Sequence, residues 1–414
     1  MHLSSTGTRP IDHPLRLAGE LPEPAVKPRF ALSAKGFRPF FLLAALFAAA
    51  VVPLWLLVLG GVAAPAAYLD PAGWHAHEMV FGFSVAVISG FLLTAVGNWT
   101  QRETLVGTPL LALAGLWILG RAAMLGAGHL PRGLPAVVDL AFLPVLIGVL
   151  ARPLVAARNR RNFAMLAVLG ALFAADVVVH LGALGVVSGE LAPRACIVGV
   201  DVVVFVILVI AGRVFPMFTR NATGVTTIRS IPWLDAATIA GMAGLTALDA
   251  FVPGGSLAGI VSGVVGLLAA ARAVHWGARH SLRQPLLWIL HLGYAWIPIG
   301  LLLRALAAVD PAVPRAFAVH ALTVGAIGAL TLGMMARVAL GHSGRPLLAP
   351  KPVAWAFGAV TLAAFARAVL PLLVPAWYFP SLLAGGILWT IAFLIYAVVY
   401  APILAQPRLD GKAG

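Results

Sequence analysis

The sequence predicts an all-α, polytopic membrane protein of about twelve transmembrane helices, with both termini in the cytoplasm. Three observations carry this. The 414 residues are 61% hydrophobic and only 10% charged, with mean hydropathy +0.99, whereas soluble chains carry about 25% charged residues. Apolar runs of roughly 20 residues, enough to cross a bilayer at 1.5 Å per residue, recur along the whole chain. Lys and Arg, finally, fall into alternate loops, as orientation signals do.

Residues 1–36 are polar and Pro-rich, with no apolar run of signal-peptide type. They read as a flexible cytoplasmic tail. A single membrane domain is expected over 37–405, and a short cytoplasmic tail over 406–414. Within the domain the spans fall at about 38–60, 76–98, 109–127, 134–152, 163–187 and 195–217. The remaining six fall at about 232–252, 255–276, 285–308, 315–341, 352–374 and 379–404. Pro109, Pro193, Pro285, Pro350 and Pro375 stand at the breaks, where proline opens helices but cannot continue them. The break at Pro253-Gly254-Gly255 is so short that spans 7 and 8 are expected to form an antiparallel hairpin.

Counted by side, Lys27, Arg29, Lys35 and Arg38 precede the first span. The even loops and the C-terminus hold Arg102, Arg152, Arg158, Arg160, Arg161, Arg220, Arg229, Arg279, Arg283, Arg345, Lys351, Arg408 and Lys412. The odd loops hold only Arg132, Arg194 and Arg315. This asymmetry places both termini inside. The net charge of +14 is therefore a topological signal and not a nucleic-acid footprint. The single cysteine, Cys196, excludes an internal disulfide, a thiolate zinc cage and a Cys-ligated iron–sulfur cluster. No repeat is evident.

Orientation converts sequence position into depth. Trp74-His75-Ala76-His77-Glu78 opens the second span, near the outer surface. His320 lies near the outer end of span 10 and His180 in the outer half of span 5. Asp176 is four residues before His180, on the same helical face, where a carboxylate can orient an imidazole. Asp139, Asp201, Arg121 and Arg304 fall in the same outer half. Ionisable groups inside a span are costly and want partners or a function. A second group, His291, His275, His342, Arg213 and Arg337, lies on the inner side.

Imidazoles in a helical bundle suit haem iron and copper. With no CxxCH attachment motif, a haem here would be non-covalent, b-type. His75 and His77 are two residues apart, about 200° on a helix at 100° per residue, so one metal cannot take both from a regular helix. Met217, Met334 and Met335 read as apolar filling, and Trp55, Trp74, Trp99, Trp233 and Trp377 as interfacial anchors. His129 and His280 read as loop histidines, and His2 and His13 as tail residues.

Several stretches resemble the NnrS family of bacterial membrane proteins. They are Gly36-Phe37-Arg38-Pro39-Phe40-Phe41, Trp74 to Phe83 (WHAHEMVFGF), Gly90 to Ala95 with Asn98-Trp99-Thr100, and Gly212-Arg213 with Pro216 to Asn221. Leu290 to Trp296, His320-Ala321, Met335 to Val338 and Gly341 to Arg345 complete the set. The resemblance implies a twelve-span protein of the bacterial inner membrane that carries haem b and copper. It also implies a link to nitric oxide metabolism and nitrosative-stress resistance, in denitrifying and related bacteria. It makes His75, His77, His291, His320 and His342 the cofactor-ligand candidates; His180 joins His75, His77 and His320 as a metal candidate on depth. Glu78, Asp176, Arg304 and Arg337 are the supporting groups. Which histidine takes which metal stays open. The expected partners are membrane lipid and a small gas such as nitric oxide. A proton-coupled secondary transporter without bound metal fits the span count equally, and a metal-loading factor is a third class.

Overall fold

A computed structural model describes residues 30–63, 68–252 and 255–412. Most of the expected N-terminal tail, including His2, His13, Lys27 and Arg29, lies outside the described residues, as do Pro253 and Gly254. Among the described residues there is no strand, and twelve helices are long and apolar enough to cross a membrane. They are α1 (Phe37–Leu59), α2 (Pro71–Thr100), α3 (Thr108–Leu125), α4 (Leu134–Ala156), α5 (Arg160–Ala183) and α6 (Leu191–Thr223). The others are α7 (Pro232–Phe251), α8 (Ser256–Trp276), α9 (Pro285–Val309), α10 (Arg315–His342), α11 (Lys351–Leu373) and α12 (Pro375–Ala405). The fold is an all-α, multi-pass membrane bundle.

Most boundaries agree with the apolar windows. The exceptions are α2 and α6, which are longer at both ends. At α2 the reason is local: the Asp70 side chain accepts from the amides of Ala72 and Gly73, each at 3.0 Å, and Pro71 supplies a preset φ at the first helical position. The helix thus starts five residues before the apolar run, inside a stretch that hydropathy alone reads as loop. At its other end α6 stops at Gly224, which takes the left-handed conformation that glycine adopts without strain.

An even number of spans puts the two chain ends on one side, here called the terminal face; the opposite side is the distal face. The ends are tied together. The Ala31 amide donates to the Ala405 carbonyl at 2.7 Å, and the Arg38 guanidinium donates to the carbonyls of Leu404 and Gln406, both at 2.7 Å. Helix α1 packs on α12, α12 on α11, and α7 on α8 as the expected hairpin. The most enclosed span is α2, with 83% of its most apolar window buried, followed by α6 and α10. Residues of all three line the same cavities, so a seam lies between them.

Two of the three central helices are locally widened. Glu78–Ser84 in α2 and Ala321–Gly328 in α10 are π-helical. Each stretch begins immediately after a distal-face histidine, His77 or His320. In α2 the wider turn lets the Ser84 hydroxyl donate to the Met79 carbonyl, five residues back, at 2.9 Å. Such bulges re-aim side chains and are frequent at functional sites.

Candidate metal centre and cofactor cavity

The two histidines of α2 face opposite ways, as their spacing requires. His77 is fully buried and points towards α4 and α5. Its Nε2 lies 3.0 Å from Asp139 Oδ2 and 3.0 Å from Asp176 Oδ1. Its Nδ1 lies 3.0 Å from Glu78 Oε1. His180, also buried, presents Nε2 to the same two carboxylates, at 3.0 Å from Asp139 and 3.7 Å from Asp176. Its Nδ1 lies 2.9 Å from the Tyr68 hydroxyl. Burial raises the Tyr68 pKa, so that hydroxyl stays protonated. Arg121 of α3 closes the group, donating to Glu78 at 2.8 Å and pairing with Asp139.

Ligand atoms of His77, Asp139, Asp176 and His180 all lie within 4.8 Å of one another. Both Nε2 atoms converge on one pair of carboxylates, while each Nδ1 is held from behind by Glu78 or Tyr68. That is how metal-ligating imidazoles are held, with the far nitrogen fixed by a hydrogen bond: the Glu78 carboxylate accepts from His77 Nδ1–H, and the Tyr68 hydroxyl, which can donate or accept, orients the His180 ring. Charge points the same way. Glu78, Asp139 and Asp176 set three carboxyl groups against the single guanidinium of Arg121. A buried excess of that kind calls for a cation, or for protons on the imidazoles.

Close packing is required to build this group. A Cβ on Gly82 would stand 2.9 Å from Arg121 Nη1 and 3.0 Å from Phe47, and one on Gly120 would stand 2.8 Å from Asp139 Oδ1. The Trp117 indole donates to the Gly82 carbonyl at 3.2 Å. Glycine in WHAHEMVFGF therefore lets α3 approach α2 closely enough for Arg121 to reach the carboxylates.

His75 looks the other way, into a cavity of about 340 Å³ that it shares with His320. The size falls in the ~300–1,000 Å³ range of small-molecule sites. Its walls come from α1, α2, α6, α10, α11 and α12, and are mostly apolar; the two imidazoles, Thr323, Arg367 and Tyr378 are the exceptions. The His75 ring stacks on Trp55, with centroids 4.6 Å apart and planes 10° apart. His320 Nδ1 lies 2.7 Å from the Ala316 carbonyl. That nitrogen is therefore the N–H, and Nε2 carries the lone pair. Buried His75 Nδ1 and Arg367 Nη1 have no hydrogen-bond partner among the described residues.

The remaining expected residues lie elsewhere. His291 on α9 bonds the Thr219 hydroxyl at 2.9 Å, near the terminal face. His342 ends α10 and packs on Phe37. Arg337 lies over the Phe218 ring, 3.9 Å from its centroid. Arg304 of α9 pairs with Asp201 of α6, at 3.3 and 3.4 Å, and with Asp249 of α7. Tyr68, Asp249 and Arg367 were not singled out by sequence; Tyr68 lies between spans, and nothing in its surroundings marks it.

No curated protein matches the chain. The model of the NnrS family, described as NnrS protein, matches residues 31–408, and the chain belongs to that family.

Proposed function

We propose that this protein is a haem- and copper-binding membrane protein of nitric oxide metabolism or nitrosative-stress resistance in the bacterial inner membrane, with the terminal face cytoplasmic. Copper is assigned to His77, Asp139, Asp176 and His180, and haem b to the cavity between His75 and His320. The observation that carries the reading is the convergence of two buttressed Nε2 atoms on one carboxylate pair. Two imidazoles and two carboxylates form an N,O set of the kind that accepts Cu(II). Glu78 and Tyr68 hold the rings, and Arg121 offsets surplus negative charge.

The cavity fits a haem on three counts. His320 offers a lone pair on Nε2 with its tautomer fixed by Ala316. His75 offers a buried nitrogen without a partner, and Arg367 a buried N–H suited to a carboxylate such as a propionate. When bound, the haem would supply an iron centre for a small ligand such as nitric oxide. The apolar walls admit a neutral diatomic and exclude water.

The test is metal analysis and optical spectroscopy of purified protein. His75→Ala and His320→Ala are expected to abolish or shift the Soret band while leaving copper bound. His77→Ala and His180→Ala are expected to lose copper while keeping the Soret band. Wild-type protein with neither metal would overturn the proposal. It would favour a proton-coupled transporter, since both nitrogens of His77 face carboxylates, a geometry that an imidazolium also satisfies.

A further inference from the structure

A cavity of about 400 Å³ opens near the terminal face where the ends of α2, α5, α6 and α10 gather. Three stretches that carry the family resemblance, and have no role in the sites above, meet on it: Asn98-Trp99 of α2, Arg213 of α6 and His342 of α10. Arg161 and Asn162 at the start of α5 complete the polar rim, and no carboxylate lines the cavity. The inner wall is apolar, with Phe91, Met165, Ile210 and Val338. Phe91 and Ile210 also line a second cavity, of about 90 Å³, that lies further along the same seam between α2, α6 and α10. Its lining is almost wholly apolar, including Val203, Val206, Met334 and Met335.

The shape is that of a site for an amphiphile, a cationic mouth at headgroup level leading to an apolar slot. Helix α6 has 33 residues, about 50 Å at 1.5 Å per residue, so it outreaches a ~30 Å hydrocarbon core. Arg213 stands ten residues before its end, at the level of the other three helix ends and of Trp99. Two guanidiniums and an imidazole without an acidic neighbour suit a phosphate, which guanidinium binds in a forked geometry. A neutral headgroup would leave those charges uncompensated.

We propose that this cavity binds an anionic phospholipid, its phosphate between Arg161 and Arg213 and one acyl chain along Phe91 and Ile210. The site is independent of the metal and haem assignments.

Native mass spectrometry of detergent-solubilised protein, incubated with equal amounts of dioleoylphosphatidylglycerol and dioleoylphosphatidylcholine, tests it. Wild-type protein is expected to retain the glycerol lipid about 10-fold or more over the choline lipid, since each guanidinium facing an anionic headgroup contributes roughly fivefold. The Arg161→Gln/Arg213→Gln double variant is expected to lose that preference, and Arg161→Lys/Arg213→Lys to keep part of it. Ile210→Trp, which fills the slot and leaves the charges, is expected to weaken retention of both lipids. Equal retention of the two lipids by wild type would overturn the proposal, as would an unchanged preference in the folded Gln variant. Displacement of the lipid by a soluble quinone analogue, but not by excess phosphatidylglycerol, would also overturn it.

Discussion

His75 and His77 are separated by one alanine and belong to different sites. His77 meets three carboxylates, and His75 stacks on Trp55 in the cavity of His320. Glu78 touches none of the proposed metal's position directly and acts through His77 Nδ1, so Glu78→Gln is expected to weaken copper binding by about 10–100-fold. Chelator competition on purified protein measures this; an unchanged affinity would remove Glu78 from the site. Gly82 serves by lacking a side chain. Gly82→Ala pushes a methyl group against Arg121 and Phe47 and is expected to cost about 1–3 kcal/mol, as overpacking does. Thermal unfolding in detergent reads this as a lower Tm. The i,i+2 spacing alone forecasts that the two histidines part; their neighbours from α1, α4, α5 and α10 are not written near them in the chain.

At the scale of the helix, both widened turns follow the distal histidines of α2 and α10, and neither is visible in hydropathy. A π turn preserves the apolar composition and changes only the register, so composition carries no trace of it. Helix starts are more legible. Asp70 and Pro71 together mark the first turn of α2, and Asp70→Ala is expected to lose about 1 kcal/mol of stability. Because that turn carries Trp74 and His75, the same variant should broaden the Soret band, a change that loss of stability at a remote helix would not cause. Between helices, Arg304 joins α9 to Asp201 on α6 and Asp249 on α7. Arg304→Ala leaves buried Asp201 and half-buried Asp249 without their counter-charge, at an expected cost of about 2–3 kcal/mol, below that of a fully buried pair. Replacing all three residues by apolar side chains should recover most of that, because the penalty lies in the orphaned charges. If the triple variant is no more stable than Arg304→Ala, the three residues do more than neutralise one another.

For the whole molecule, twelve spans put the chain ends together, and the contacts of Arg38 with Leu404 and Gln406 hold them there. On the arginine asymmetry we propose that this face is the cytoplasmic one. A Leu409→Cys variant is therefore expected to react with a membrane-impermeant maleimide in inverted vesicles and not in intact cells; the native Cys196 is buried. Labelling in intact cells would reverse the orientation and move the proposed metal and haem sites to the cytoplasmic side.

The sequence by itself determined the class and the number of spans. Hydrophobic length and charge asymmetry are properties of consecutive residues, and the bilayer reads them in order along the chain. It also placed His75, His77, His180 and His320 in one slab of membrane. Only the tertiary structure decided which of them are neighbours. Helices at the same depth can be arranged around one another in many ways, and lipid, being as apolar as the helix faces, does not choose among them. Small-residue contacts such as Gly82 against Arg121 and Gly120 against Asp139 make that choice. They divide four histidines of one depth into a carboxylate-bound pair and a cavity-lining pair, on either side of α2.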